Sequence, residues 1–372
     1  MRSRPRWRGL EERRRREDWL PEASAAMESF DVAVVGGGMV GASFALALAQ
    51  THLRIVLVES VAPGSTAQPS FDERTTALGN ASRRIFEALG VWDRIARESA
   101  AIRAIHVSDA GRFGFARLDA REQGVEAFGY VAANRILGAA LWERLAASDI
   151  ALRVPARLEG IDIGADRVDL ALQSGRQGEP PSGAGVEHLS ARLVVAADGA
   201  QSPVRKAAGI DARVKDYDQV ALVANVTTDR PHDGTAFERF TPSGPIAVLP
   251  LHDGSYTVVW ARSPSQAEEA LHLDERSFLR ELQRHFGWRA GRFARAGRRA
   301  AYPLQLSRAA AVVGSRAVLI GNAAQALHPV AGQGFNLGLR DAAVLAEILA
   351  GAGVERGTGA HSGASADPGA PE

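Results

Sequence analysis

Residues 36–41 read GGGMVG, so Gly36, Gly38 and Gly41 satisfy G-x-G-x-x-G. The spacing serves dinucleotide binding: one glycine makes a tight turn, one lets a diphosphate approach the backbone, and one packs a helix closely on a strand. The phosphates then lie on free N–H groups at the positive end of the helix. Glu59 stands about 20 residues downstream, where a carboxylate can accept hydrogen bonds from ribose hydroxyls. A second stretch, GNAAQALHPVAGQGFNLG at 321–338, holds four glycines, no formal charge and one titratable side chain, His328, in a chain that is 23% charged. So bare a backbone implies that something lies against it. Between the two, Asp198-Gly199 forms a turn ahead of a helix carrying Arg205.

The flanking patterns supply the elements. Asp31–Val35, Ile55–Glu59, Leu193–Ala197 and Ala317–Ile320 are short apolar runs that read as buried strands, and ASFALALAQ after the first glycines reads as a helix packed on a sheet. Three of the strands end in glycine-rich or Asp-Gly turns, and carboxyl ends of strands are where open α/β sheets take ligands. The runs DQVALVANV, GTAFERFT, GPIAVLPL and SYTVVWA within 218–261 are separated by His-Asp-Gly and Pro-Ser-Gly turns and read as an antiparallel meander. Only one G-x-G-x-x-G exists, whereas a flavoenzyme with a separate nicotinamide domain would be expected to show two.

At 372 residues and 46% hydrophobic the chain can bury one large α/β core with an inserted lobe. There is no cysteine, so disulfides and thiolate metal sites are excluded, and a reducing compartment, the cytoplasm by default, is expected. The net charge of +1 disfavours nucleic acid as a partner. No apolar run approaches the roughly 20 residues of a membrane span. Residues 1–29, with RSRPRWR and ERRRRED, read as a disordered leader with Met27 as an alternative start, and the Gly/Ala/Ser/Pro-rich 351–372 as a disordered tail.

GGGMVG, Asp198-Gly199 and G-N-A-A-Q-x-x-H-P-x-x-G-Q-G-x-N-x-G together resemble the single-component FAD-dependent aromatic hydroxylases of the p-hydroxybenzoate hydroxylase-like fold, over roughly residues 30–350. FERFTPSGPIAVLPL (237–251), LQRHFGWRAG (282–291) and GNAAQALHPVAGQGFNLGLRD resemble the ubiquinone-biosynthesis branch, and within it the 2-polyprenyl-6-methoxyphenol hydroxylases. The wider family carries Asp at 322 and His at 325; Asn322 and Gln325 stand here, replacements that the branch shares.

The resemblance implies an α/β fold: a Rossmann-like FAD-binding domain with an inserted, mainly antiparallel β-sheet substrate domain. The FAD domain would be drawn from 30–105, 186–212 and 306–350, the substrate sheet from 213–305, and 106–185 would be shared. FAD would be held by Gly36, Gly38, Gly41, Glu59, Arg74, Asp198, Gly199, Asn322, Pro329, Gly332, Gly334 and Asn336. The Pro-x-x-Gly-x-Gly loop would pass beside the flavin ring, with glycines at 332 and 334 allowing close approach. The helix beginning near Asn336 would aim its N-terminus at the ring. NADPH or NADH would reduce FAD, O2 would give a flavin C4a-hydroperoxide, and a polyprenylated phenol would receive the oxygen. His328 is the candidate for proton transfer, with an ordinary pKa of about 6.5, the alternative being that it only shapes the loop. A surface ion pair with Asp72 or Glu73 is the alternative role for Arg74. A prenyl tail implies peripheral contact at the inner face of the cell membrane, and other ubiquinone-biosynthesis enzymes are expected partners. The family continues with further helices after 350, so a shortened C-terminus is expected to expose apolar surface.

Overall fold

Successive residues of the first strand, β1 (Glu28–Val35), are buried on opposite faces and feed two cores. The chain is described by a computed structural model over residues 27–65, 74–175, 185–327 and 332–358, with side chains to 351. Val32 and Val34 pack with three helices, α1 (Met39–Leu48), Asn134–Ala146 and α2 (Gln333–Thr358). Ala33 and Val35 pack with the strands Ala156–Ile163 and Val168–Ser174 and with Val204. A strand covered on both sides carries no polar alternation, which is why DVAVV and β2 (Ile55–Val58) read as unbroken apolar runs.

The dinucleotide sheet has eight strands. Its spine is Val313–Gly314, β4 (Ala317–Leu319), β3 (Val186–Ala196), β1, β2 and Ala151–Arg153, and the neighbours from β4 to Ala151–Arg153 are parallel. Register Val35↔Ala196, Val35↔Val58 and Ala196↔Leu319 brings the carboxyl ends of β1, β2, β3 and β4 level. The three turns singled out above therefore open on one edge.

The second sheet, also of eight strands, is a lobe whose order departs from a simple meander. Thr235–Thr241, Gly244–Pro250 and Tyr256–Arg262 are consecutive antiparallel neighbours, but Ala212–Thr228 lies between Tyr256–Arg262 and Phe293–Ala309. At the far edge the hairpin Ala104–Asp109/Phe115–Asp119 joins Thr235–Thr241 in parallel. The helices Pro264–His272 and Glu275–Phe286 cover one face, around Trp260, Phe278 and Phe286. Of the span 106–185, residues to Asp119 join this lobe, Gly129–Ala133 pairs with Thr75–Gly79 and Ala100–Ile102, and 151–174 belongs to the dinucleotide sheet.

Two boundaries differ from the sequence reading. The first strand begins at Glu28, inside the expected 1–29 leader, and the Glu28 carboxylate meets Arg153 at 2.6 Å and Arg54 at 3.6 Å. The final helix runs to Thr358, past the expected end at 350, since GAGVERGT holds no proline to stop it. Residues 1–26 and 359–372 lie outside the described residues. Among the described residues no helix is long and apolar enough to cross a membrane.

Candidate functional site

The level strand ends enclose a cleft of about 660 Å³, a ligand-sized volume. Gly36, Gly38, Glu59, Arg74, Asp198, Gly199, Asn322 and Gly334 all line it. Thus eight residues separated by up to about 300 positions in sequence, each named from motif or resemblance, share one wall.

Each glycine of the first turn answers a different steric demand. Gly36 has φ +102°, and a Cβ there would lie 2.4 Å from the Ala197 carbonyl oxygen. Gly41 has no room because a Cβ would lie 2.0 Å from the Gly36 carbonyl oxygen, so the helix packs onto its own turn. Gly38 N-caps α1 with no side-chain partner, and the first turn contains no acid. The leading N–H groups of α1 are therefore left to an anion.

Glu59, expected beside a ribose, is engaged by the backbone on both carboxylate oxygens. One carboxylate oxygen accepts from the Gly37 N–H at 2.7 Å, and the other from the Val61 N–H at 2.8 Å. It thereby ties the end of β2 to the glycine turn while 7% exposed. Trp142 donates its indole N–H to the Gly37 carbonyl at 3.2 Å from the other side. Gly37 and Trp142 have no place in the sequence motif, since what fixes them is a helix more than 100 residues away.

Asp198 leaves a buried oxygen unsatisfied. Its Oδ2 accepts from the Val204 N–H at 3.2 Å, whereas Oδ1 has no partner. Burial pushes its pKa up, against the opposing pull of Ser202 and the Val204 N–H. A buried acceptor of this kind is costly unless a donor arrives, which a ligand hydroxyl in the cleft would supply. Gly199, at φ +87°, and Gly334 both face open space where a Cβ would project. Arg205, 5% exposed, ties Ala200 to Ala323 through hydrogen bonds of 2.8 and 2.9 Å, joining the second and third turns. Sequence reading noticed Arg205 only as a helix residue; its partner lies 118 positions away.

In the 321–338 stretch, Asn322 is exposed in the cleft. Gly332 takes φ +60°, and its Cβ position is 3.4 Å from Ala77. The side chain of Asn336 is engaged by the protein itself. Its Oδ1 accepts from the Gly79 N–H at 2.9 Å and Ser82 Oγ at 2.6 Å, and its Nδ2 donates to the carbonyls of Ala77 and Gly332 at 2.8 and 3.0 Å. With every position on the side-chain amide used, Asn336 pins the helix start to Thr75–Gly79, which leaves its backbone for the expected cofactor contact. Arg74 lies in the cleft with its guanidinium 4.7 Å from the Tyr302 ring centre, a cation–π contact between dinucleotide domain and lobe. Phe237 and Trp260 belong to the lobe core and Phe240 is exposed. His328 and Pro329, with Asp72 and Glu73, lie outside the described residues.

The residues present therefore fit FAD: an anion site at α1, a carboxylate by the ribose position, an orphaned acceptor at Asp198 and bare backbone at 199 and 334. Comparison with known proteins agrees. The model of the FAD binding domain family matches residues 29–364. The ubiquinone hydroxylase UbiL of Rhodospirillum rubrum is 37% identical over 88% of this chain and 74% of its own length. The 3-demethoxyubiquinol 3-hydroxylase of Escherichia coli is 33% identical over 86% and 79% respectively. Among solved structures, p-nitrophenol 4-monooxygenase PnpA of Pseudomonas putida superposes with a TM-score of 0.68 at 24% identity, covering 90% of this chain and 82% of that one. PqsL of Pseudomonas aeruginosa gives 0.69 at 22% identity over 87% and 86%, so the fold is shared. The chain belongs to the FAD binding domain family and, within it, to the FAD-dependent hydroxylases of ubiquinone biosynthesis.

Proposed function

We propose that this protein hydroxylates the aromatic ring of a polyprenylated methoxyphenol, using O2 and NADPH or NADH. The observation that carries the reading is one cleft in which the glycine turn, Asp198-Gly199 and residues Gly321, Asn322, Ala326, Leu327, Gly334 and Phe335 converge. Bound FAD supplies the oxygen-activating chemistry. The chain's own part is to hold and shield. The α1 N-terminus takes the diphosphate, Glu59 keeps the glycine turn closed, and Asp198 Oδ1 accepts from a hydroxyl of the cofactor. Gly334, whose Cβ position is open, keeps a side chain out of the space assigned to the ring, and Gly332 makes the turn before it at φ +60°, so substrate and ring can lie within reacting distance. His328 is assigned the phenol proton on the strength of its type and position alone.

Support for the substrate class comes from the relatives, whose names specify ubiquinone and demethoxyubiquinol hydroxylation. A prenylated phenol partitions into bilayers, so the working position is taken as the inner face of the cell membrane, beside other enzymes of the same biosynthesis. The test is anaerobic reduction. Purified yellow protein should bleach with NADPH, faster when a short-chain prenylated methoxyphenol is added. Bleaching that ignores the phenol, or responds only to a small polar phenol, would replace this substrate assignment.

A further inference from the structure

Side chains of the lobe sheet alternate between a sealed face and an open one. Leu222, Ile246, Val248, Val258 and Trp260 are buried under the helices Pro264–His272 and Glu275–Phe286. On the opposite face the register sets Val107, Glu238, Ala247, Val259, Val223 and Ala300 in one row across the sheet. Every member of the row is half-buried, and every member but Glu238 is apolar. The rows on either side tie this face to the cleft. In one, Ala236 and Leu249 pack with Ala77, which lies 3.4 Å from the Cβ position of Gly332. In the other, Tyr302, opposite Ala221, carries the guanidinium of Arg74, a residue of the cleft wall. The row between them is the apolar surface that the lobe turns toward the dinucleotide domain.

Glu238 is the exception on that surface, and nothing in the fold uses it. Among the described residues its carboxyl has no hydrogen-bond or ion-pair partner, and neither oxygen is sealed off. Burial alone pushes its pKa up to about 7. Gly244–Pro250 and Thr75–Gly79 bring no titratable side chain to it. Asp109, on the neighbouring strand, pairs with Arg112, and Tyr130, on Gly129–Ala133, lies against Trp92. Arg74 and Tyr302 meet each other, and Arg298 is exposed at the far side of the sheet. None of these charges acts on Glu238. An acid among apolar neighbours costs stability once it ionises, so its place is explained by a ligand that brings a donor. A prenylated methoxyphenol has one donor, the phenolic hydroxyl; its ring, methoxy group and tail suit the apolar members of the row.

We propose that Glu238 recognises the phenolic hydroxyl of the substrate, its carboxylate accepting that hydrogen while the ring lies along Ala247, Val259 and Val223. The proposal rests on the hydroxylase reading above and adds the residue that selects a free phenol over its methyl ether. It offers the phenol proton an acceptor on the lobe, and a titration separates Glu238 from His328, which lies outside the described residues. Oxidised, FAD-loaded full chain without NADPH is titrated with a short-chain prenylated methoxyphenol and with its methyl ether, following the flavin absorption band from about pH 6 to about pH 8. The phenol keeps its own proton over this range, its pKa being near 10. Acceptance needs the carboxylate, so affinity should rise with pH: about tenfold across the range for a group titrating at about 7, with no such trend for the ether. Glu238→Gln should bind the phenol about tenfold more weakly at the upper pH and without the trend, while binding the ether as well as the unaltered protein does, which shows the site intact. Glu238→Met, with no oxygen to accept, should reverse the preference in favour of the ether. Phenol binding whose strength and pH trend survive Glu238→Gln would overturn the proposal alone and leave His328 as the titrating group. A flavin band that responds to neither compound in the unaltered protein would overturn the hydroxylase reading and the proposal with it.

Discussion

Asp198 is the residue whose environment says most about a ligand, because one of its oxygens is buried and unmatched. Asp198→Ala should weaken FAD binding by roughly tenfold or more, the range for a hydrogen bond to a charged acceptor, read by titrating apo-protein with FAD. Unchanged affinity would remove Asp198 from the site. Gly334 separates ligand space from protein space. Since a Cβ there meets no protein atom within 4 Å and the position is helical, Gly334→Ala should leave the apo-protein as stable or slightly more so. The same change should slow NADPH-dependent bleaching, because the methyl group occupies the space assigned to the ring; an equal rate would place the ring elsewhere. Glu238, on Thr235–Thr241, is pushed up to about 7 by burial, from an ordinary value near 4.5. At low pH both folded and unfolded chains hold that proton and nothing is lost. As pH rises from about 4.5 through about 7 the unfolded chain ionises first, so stability falls and then levels off. Glu238→Gln should therefore match the unaltered protein near pH 4 and exceed it at pH 8 by about 1–3 kcal/mol, measured by urea unfolding. A pH-independent difference would show that Glu238 does not titrate in this way.

At the scale of elements, what was legible in sequence is what depends on near neighbours. The strand–turn–helix of 31–48 reads directly, because the positive φ of Gly36 and the contact of Gly41 with the Gly36 carbonyl arise within a turn only six residues long, although the Ala197 carbonyl also crowds Gly36. Glu59 was legible as an acid at the right spacing, yet its bond to the Gly37 N–H depends on β1 and β2 lying parallel, which spacing alone does not state. The clamp made by the Asn336 side chain was not legible for the same reason: an amide in a glycine-rich loop looks available until Thr75–Gly79 is folded against it. Removing that clamp with Asn336→Ala should cost about 2–4 kcal/mol, since it leaves the Gly79 N–H and the Ala77 and Gly332 carbonyls without partners. Urea unfolding checks the value, and a loss under 1 kcal/mol would show that the loop holds itself.

Over the whole molecule, the strand Phe293–Ala309 begins in the lobe core at Phe293 and ends in the dinucleotide core at Ala309. It pairs along its length with Ala212–Thr228, so the two domains share a rigid ribbon, and Arg74 on Tyr302 adds a contact near the cleft. The β-like runs and the turns between them predicted an antiparallel meander, but not the insertion of Ala212–Thr228 between strands that follow it. That order is set by which strands can extend from one core into the other. Because the cleft draws on segments from all over the chain, FAD in large excess should raise the thermal midpoint by several degrees; an unchanged midpoint would mean that the cleft is not its site. The most direct test of the central claim is turnover of a short-chain prenylated methoxyphenol with NADPH under isotopically labelled dioxygen, with the product weighed by mass spectrometry. The account predicts one labelled oxygen atom on the ring of each product molecule. NADPH consumption without label in the ring, or label arriving from water, would contradict it.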